Sequence, residues 1–236
     1  MRKDRLAVVV PMKPLTLAKQ RLRPAVDDAT RITLARAMFE HVLTTIRSSG
    51  VADLPLVISA DVDVRALAQT YGFWTLDEQG KNGKPLGASS RSDPIGYNEA
   101  IIQAVAWTQV QGATTLLILP ADLPYLTPDD LRQLVDLAGA APQAAVLAPD
   151  AAETGTNALL LRPPDRILPA FGPNSFRRHL EALHRSGVVP VVYRSASLAH
   201  DVDEPADLVR LILEVNRAEK IEGTGQIDHG QFFMGI

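Results

Sequence analysis

Short apolar runs that stop at proline and alternate with helix-spaced segments most tightly limit how this chain can fold. Leu6 to Val10 is wholly apolar, rich in β-branched residues and followed by Pro11. Such a run suits a central strand of a parallel sheet, covered by helices on both faces. From Asp28 to Ser48, residues Ile32, Leu34, Ala35, Met38, Val42, Leu43 and Ile46 share one helical stripe, and Gly50 ends it. Pro55 to Ser59 predicts a second strand, Val64 to Tyr71 a helix closed by Gly72, and Phe73 to Leu76 a third strand. This β-α-β-α-β order is the signature of an open α/β sheet.

The rhythm then breaks. Asp77 to Pro94 is rich in Gly, Ser, Asn, Lys and Pro and has no periodicity, so it reads as a long loop. Beyond it, helices are expected at Tyr97–Gln111, Pro128–Ala138, Ser175–Gly187 and Glu204–Asn216, with Thr127 as an N-cap. Strands are expected at Thr115–Leu119, Ala144–Ala148, Asn157–Arg162 and Val188–Tyr193. Residues 1–216 therefore read as one domain, large enough to bury a core without covalent staples, and 217–236 as a tail. Phe232, Phe233 and Met234 in that tail could dock on a partner, which leaves a homodimer open.

Composition removes several function classes. The 24 basic and 27 acidic residues give a net charge of −3, which argues against a general nucleic-acid binder. The absence of cysteine excludes disulfides, zinc–thiolate centres, iron–sulfur clusters and a thiol nucleophile, and suits a reducing cytoplasm. No apolar stretch is long enough for a bilayer, and the N-terminal run is too short for a signal peptide. A cytoplasmic protein with no membrane association is expected.

Five segments carry chemistry. In open α/β sheets ligands bind beyond the carboxyl ends of strands. The loop after the first strand places Lys13, Lys19 and Arg21 near such an end, where they could neutralise a triphosphate or simply face solvent. It lacks the glycines and the GK[ST] ending of a Walker loop. In Leu116–Pro124 an apolar strand runs into Asp122, held in a turn between Pro120 and Pro124. That carboxylate could hold Mg²⁺ or cap its own turn. Asp201 and Asp203 are two residues apart and point to one side of an extended segment, where they repel unless a cation or solvent intervenes. Asp203 could instead cap the helix that begins at Glu204-Pro205. The turn Glu153–Leu159 offers Thr156 and Asn157 as neutral donors beside Gly155. Ser175 could cap a helix whose free N–H groups bind an anion. Arg177, Arg178 and His179 sit early in that helix, where an anionic partner would offset the unfavourable dipole; the arginines could equally reach solvent.

In order and spacing these segments resemble the CofC-type guanylyltransferases, also called 2-phospho-L-lactate guanylyltransferases, of coenzyme F420 biosynthesis. The motifs are KPL-x-x-AK-x-RL at Lys13–Leu22, LPADLP at Leu119–Pro124, GTNALL at Gly155–Leu160, FGP-x-SF-x-x-H at Phe171–His179 and D-x-D-x-P at Asp201–Pro205. The resemblance implies a single-domain nucleotidyltransferase fold with a mixed, mainly parallel central sheet flanked by helices. It implies that Lys13, Lys19 and Arg21 contact the triphosphate of GTP. Asp122, Asp201 and Asp203 would hold Mg²⁺, and Thr156, Asn157 and Ser175 the phosphate or carboxylate of a small phosphorylated acid. The family's Gly-Leu-Asn reads Gly96-Tyr97-Asn98 here, which implies a base or ribose role for Asn98. The expected reaction is transfer of GMP to 2-phospho-L-lactate, phosphoenolpyruvate or 3-phosphoglycerate. The rivals are a molybdopterin or sugar-phosphate nucleotidyltransferase, against which the glycine-free first loop counts, and a non-catalytic nucleotide-binding protein, which would be expected to lose the aspartates.

Overall fold

Leu6–Pro11 (β1) has all six residues buried, as a strand covered on both faces requires. A computed structural model describes residues 4–78 and 96–222 of the chain, with side chains through Glu214. Of the loop expected over Asp77–Pro94, Asp77 closes a strand, and residues 79–94, like the Phe232–Met234 cluster, lie outside the described residues. The other strands are Leu54–Ser59 (β2), Trp74–Asp77 (β3), Thr115–Ile118 (β4), Ala144–Pro149 (β5), Thr156–Arg162 (β6) and Val191–Val192 (β7). Among the described residues they form one sheet in the order β3-β2-β1-β4-β6-β5-β7.

β1, β2, β3 and β4 pair in parallel, while β6 runs antiparallel to both β4 and β5. The sheet is thus mixed and mainly parallel. Because β6 is reversed, its first residues lie at the edge where the parallel strands end. The chain leaves β1 toward β2 on one side and returns to β4 on the other. The crevice between β1 and β4 is therefore the switch point where ligands collect in such sheets.

Asp28–Ser49 (α1), Val62–Thr70 (α2) and Pro128–Ala138 (α4) pack on one face through Phe39, Val42, Val64 and Leu134. Tyr97–Val110 (α3) and Ser175–Arg185 (α5) pack on the other through Ile101, Ala104, Phe176 and Leu183. Each fully buried side chain of this kind contributes about 1.5–3 kcal/mol. Pro205–Glu222 (α6) runs past the expected end at Asn216, so the start of the supposed tail is helical. The strand expected over Val188–Tyr193 shrinks to two residues, because Val188 turns inward and Pro190 cannot donate to the ladder.

The N-terminus of α4 is a hub. Thr127 and Asp130 form a capping box. The buried Asp130 carboxylate also accepts from Tyr193 Oη at 3.1 Å, Ser195 Oγ at 2.5 Å and Ser197 Oγ at 2.6 Å. Burial alone would raise its pKa, but these hydroxyl donors and Thr127 hold it below the ordinary carboxylate range. One carboxylate thereby ties α4 to the segment that leaves β7. A group with a depressed folded pKa contributes stability above its unfolded pKa and loses it as pH falls through the folded one. Asp130→Ala is expected to cost about 3 kcal/mol at neutral pH, with the difference from wild type shrinking below about pH 4. Urea unfolding of both proteins at the two pH values checks this.

Candidate active site

Three carboxylates from two distant parts of the chain meet beyond the end of β4. Oxygens of Asp122, Asp201 and Asp203 all lie within 4.8 Å of one another. Asp122 lies four residues past the end of β4, after Leu119-Pro120-Ala121. The pair at 201 and 203 is aimed by the residue between them: Val202 is buried with Leu22, Leu34, Met38, Leu208 and Leu211, and its neighbours in this extended stretch face the other way. Asp203 does not cap α6. Asp207 reaches back instead, accepting from the N–H groups of Asp203 at 3.1 Å and Glu204 at 2.8 Å.

The ammonium of Lys19 lies inside the cluster, bonded to Asp122 and, at 2.7 Å, to Asp203. Burial works against its charge, yet the two carboxylates outweigh burial and raise its pKa. Asp203 is half-exposed; its partial burial pulls the other way, but Lys19 keeps its pKa below the usual value. Asp201 lacks such a partner; burial and the two neighbouring carboxylates push it up to about 6. Asp122 Oδ1 is buried without a hydrogen-bond partner. An acidic cluster with an orphaned oxygen and one carboxylate forced toward neutrality wants more positive charge than Lys19 supplies. Oxygen-only donors at this spacing fit a hard divalent cation such as Mg²⁺.

Lys19 reaches the cluster from a strained backbone. Its φ is 52°, a left-handed conformation uncommon for a residue with a Cβ. Buried Arg31 on α1 supports that strain. Its guanidinium donates to the carbonyls of Thr16 at 3.0 Å, Leu15 at 3.5 Å and Ala18, and it pairs with Asp28 at 3.1 Å. Buried Leu22 pins the far end of the loop. Nothing local in the sequence distinguishes Arg31 from a surface arginine of an amphipathic helix.

A cleft of about 620 Å³ opens at this edge, a volume typical of ligand sites. Lys13, Lys19 and Arg21 line it together with Asp122, Asp201, Asp203, Thr156, Asn157 and Ser175. Asn98 is outside this lining. Its Oδ1 accepts from Phe171 N–H at 2.8 Å, and its Nδ2 donates to Phe171 O at 3.1 Å. One N–H and one lone pair of the amide are thus engaged in clamping the Phe171–Asn174 turn. Tyr97, next to it, does line the cleft, and burial and the Asp122 and Asp203 charges hold its hydroxyl strongly protonated.

The opposite wall is a tight network. Asn157 Nδ2 donates to Leu198 O at 2.8 Å, fixing the approach to Asp201. Ser175 is the first residue of α5 and not its cap; the residue before it, Asn174, takes a left-handed φ of 55°. The Ser175 and Phe176 N–H groups are already bonded to Gly172 and Thr154, so this helix end is partly closed to an anion. Arg177 pairs with Glu181 at 2.8 Å and Arg178 donates to Phe171 O at 3.2 Å, so neither needs an anionic ligand to explain it. His179 is buried; Ala170 N–H donates to its Nε2 at 2.9 Å, so Nδ1 carries the proton toward Thr156 Oγ1 at 2.9 Å. Burial, then the Arg178 charge, lowers its pKa to about 4, which makes it a neutral structural group. Asp150, also in the lining, binds Thr154 and Gly155 N–H at 2.8 and 2.7 Å; an Asx-type turn like this gives no functional signal in sequence.

The architecture is that of the nucleotidyltransferases. A solved 4-diphosphocytidyl-2C-methyl-D-erythritol synthase superposes with a TM-score of 0.59 at 18% identity, over 89% of this chain and 99% of that one. A Desulfovibrio desulfuricans protein assigned to the nucleotide-diphospho-sugar transferases gives 0.72 at 13% identity, over 98% and 94%. The chain belongs to the guanylyl transferase CofC like family, whose model matches residues 6–222. Among its relatives, a phosphoenolpyruvate guanylyltransferase of Rubrobacter xylanophilus is 39% identical over 203 residues, covering 86% of this chain and 91% of that protein. A 2-phospho-L-lactate guanylyltransferase of Methanobrevibacter ruminantium is 30% identical over 217 residues, covering 92% and 88%.

Arg31→Met removes the donors for three loop carbonyls and is expected to cost about 3 kcal/mol. It should also make residues 15–22 the first site of limited proteolysis. Urea unfolding and mapping of the first cleavage check both; an unaltered cleavage pattern would mean that Arg31 does not hold the loop.

Proposed function

We propose that the protein transfers GMP from GTP to a small phosphorylated acid, with phosphoenolpyruvate as acceptor, releasing pyrophosphate in a step toward coenzyme F420. The observation that carries this is the single cleft in which a basic loop faces the Asp122–Asp201–Asp203 cluster. Family membership supplies the reaction class. Among the relatives at 30% identity or above, phosphoenolpyruvate guanylyltransferases from Rubrobacter, Sphaerobacter and Conexibacter favour that acceptor over 2-phospho-L-lactate.

In this reading an oxygen of the acceptor's phosphate attacks the α-phosphorus of GTP. The new bond joins that oxygen to the α-phosphorus, the bond to the bridging β-phosphate oxygen breaks, and pyrophosphate departs with its electron pair. The nucleophile is already anionic at neutral pH, so no side chain need remove a proton. Lys13, Lys19 and Arg21 bind the triphosphate and neutralise charge that builds on the leaving pyrophosphate. Asp122, Asp201 and Asp203 hold Mg²⁺. When bound, that ion screens the two phosphates from each other and polarises the α-phosphorus. Thr156 and Ser175 place their hydroxyls toward the acceptor, and Asn157 keeps the Asp201 segment in position. Catalysis rests on orientation and charge, not on a covalent intermediate.

Pyrophosphate release from GTP and Mg²⁺ is expected with phosphoenolpyruvate and to be weaker with 2-phospho-L-lactate and 3-phosphoglycerate. Asp122→Ala should reduce turnover at least about a thousandfold while its circular dichroism and melting stay those of a folded protein. Chelation by EDTA should stop the wild type, and added Mg²⁺ should restore it. Substantial activity in Asp122→Ala would remove that residue from the metal site. A folded protein that does not bind GTP would end the guanylyltransferase reading.

A further inference from the structure

Among the described residues, Glu78 is a buried acid at this edge of the sheet that the proposed reaction leaves without a task. It directly follows β3 and its N–H donates to Ser59 O at 3.3 Å, so it sits beside the end of β2. Only 5% of it is exposed, and Oε1 has no hydrogen-bond partner. Burial pushes its pKa up to about 7, against the opposing pull of the Ala60 N–H and the Lys13 ammonium. A buried carboxyl with an unmet oxygen costs free energy, and no hydrogen bond among the described residues meets Oε1. Groups of that kind at the carboxyl edge of a sheet are candidates for ligand recognition.

Its place relative to the triphosphate loop is informative. Pro11 pairs with Ile58, and Ser59 with Asp77, so the ends of β1, β2 and β3 stand in a row with Lys13 at one end and Glu78 at the other. Two strand spacings separate them, roughly 9–10 Å. On the other side of Lys13 the cleft is taken by the carboxylate cluster and the Thr156–Ser175 wall. The cleft lining reaches Lys13 and stops short of Glu78; with its phosphates at Lys13, Lys19 and Arg21, a nucleotide that lays its sugar and base along the row of strand ends brings the base to Glu78.

We propose that Glu78 reads the guanine base, its carboxylate accepting hydrogen bonds from N1–H and the 2-amino group; this rests on the guanylyltransferase reading above. An ionised carboxylate only accepts. Guanine presents two adjacent donors on one edge. Adenine offers a lone pair at N1 beside its 6-amino group, cytosine a lone pair at N3 beside its 4-amino group, and uracil one N–H between two carbonyls. Each of the other three bases thus sets at least one acceptor against the carboxylate. Sites built on polar complementarity discriminate strongly, because a mismatch leaves buried groups unpaired.

The test compares GTP, ITP (which lacks the 2-amino group) and ATP with the wild type, Glu78→Gln and Glu78→Ala, following pyrophosphate release. The wild type is expected to prefer GTP to ITP by at least about tenfold in kcat/KM, and ATP to be poorer still. Both variants should lose about a hundredfold for GTP, chiefly through KM, and bring the GTP-to-ITP ratio near one. Glu78→Gln should melt at or above the wild-type temperature, since it removes a buried charge and keeps an amide oxygen for the Ala60 N–H. An unchanged nucleotide ratio in an active variant overturns the assignment of Glu78 and leaves the guanylyltransferase reading intact. So does a fall in melting temperature in both variants with the ratio retained, which would make Glu78 structural. A wild type inactive with GTP overturns both.

Discussion

Mutual repulsion among Asp122, Asp201 and Asp203 is the constraint around which this edge of the molecule is organised. Two of them come from one extended segment and the third from a strand end about eighty residues earlier in the chain. Bringing them within contact range is unfavourable unless positive charge is brought along. Lys19 supplies it, and the loop that carries Lys19 is bent into a left-handed conformation to do so. Arg31 holds the loop backbone from α1, and the Leu22–Val202–Leu211 cluster fastens the loop to the Asp201–Asp203 segment. A buried ion pair adds little net stability, because desolvation offsets much of the attraction. Its value here is positional: it keeps a loop and an acidic segment in register across a cleft.

Sheet topology divides that cleft into two ends. Parallel strands β1 to β3 deliver the basic loop and Glu78 to one end. The reversal of β6 delivers Thr156 and Asn157 to the other, at the same edge. Had β6 been parallel, its first residues would lie on the far side of the sheet, and the Thr156 turn could not share a cavity with Asp122. The hub at Asp130 acts on the same problem from behind, since it fixes the chain between β7 and Leu198 and so the approach to Asp201.

Much of this was legible in the sequence wherever a local rule applies. Period and proline stops located β1 and β4, so Lys19 and Asp122 could be placed at strand ends. The spacing of Asp201 and Asp203 fixed their common side, and burial of Val202 supplies the reason. What escaped depends on partners far along the chain. Asn98 looks free in sequence but clamps the backbone of Phe171, seventy-three positions away. Ser175 looks like a cap, yet Asn174 takes the turn and Ser175 is buried against Thr156. Arg31 sits in an ordinary amphipathic helix, and only the loop folded over it gives it a task. Asp77-Glu78-Gln79-Gly80 reads as the start of a polar loop, so the burial of Glu78 has no signature at all.

Under the proposed function, Lys19 and the divalent cation compete for the same oxygens. Asp122 and Asp203 cannot bond the ammonium and a metal together at full strength within so small a cluster. In the unloaded protein the ammonium keeps three carboxylates together that would otherwise spread apart. The site is thus kept assembled by the charge of Lys19, which is why a lysine occupies a position whose backbone would suit glycine or asparagine.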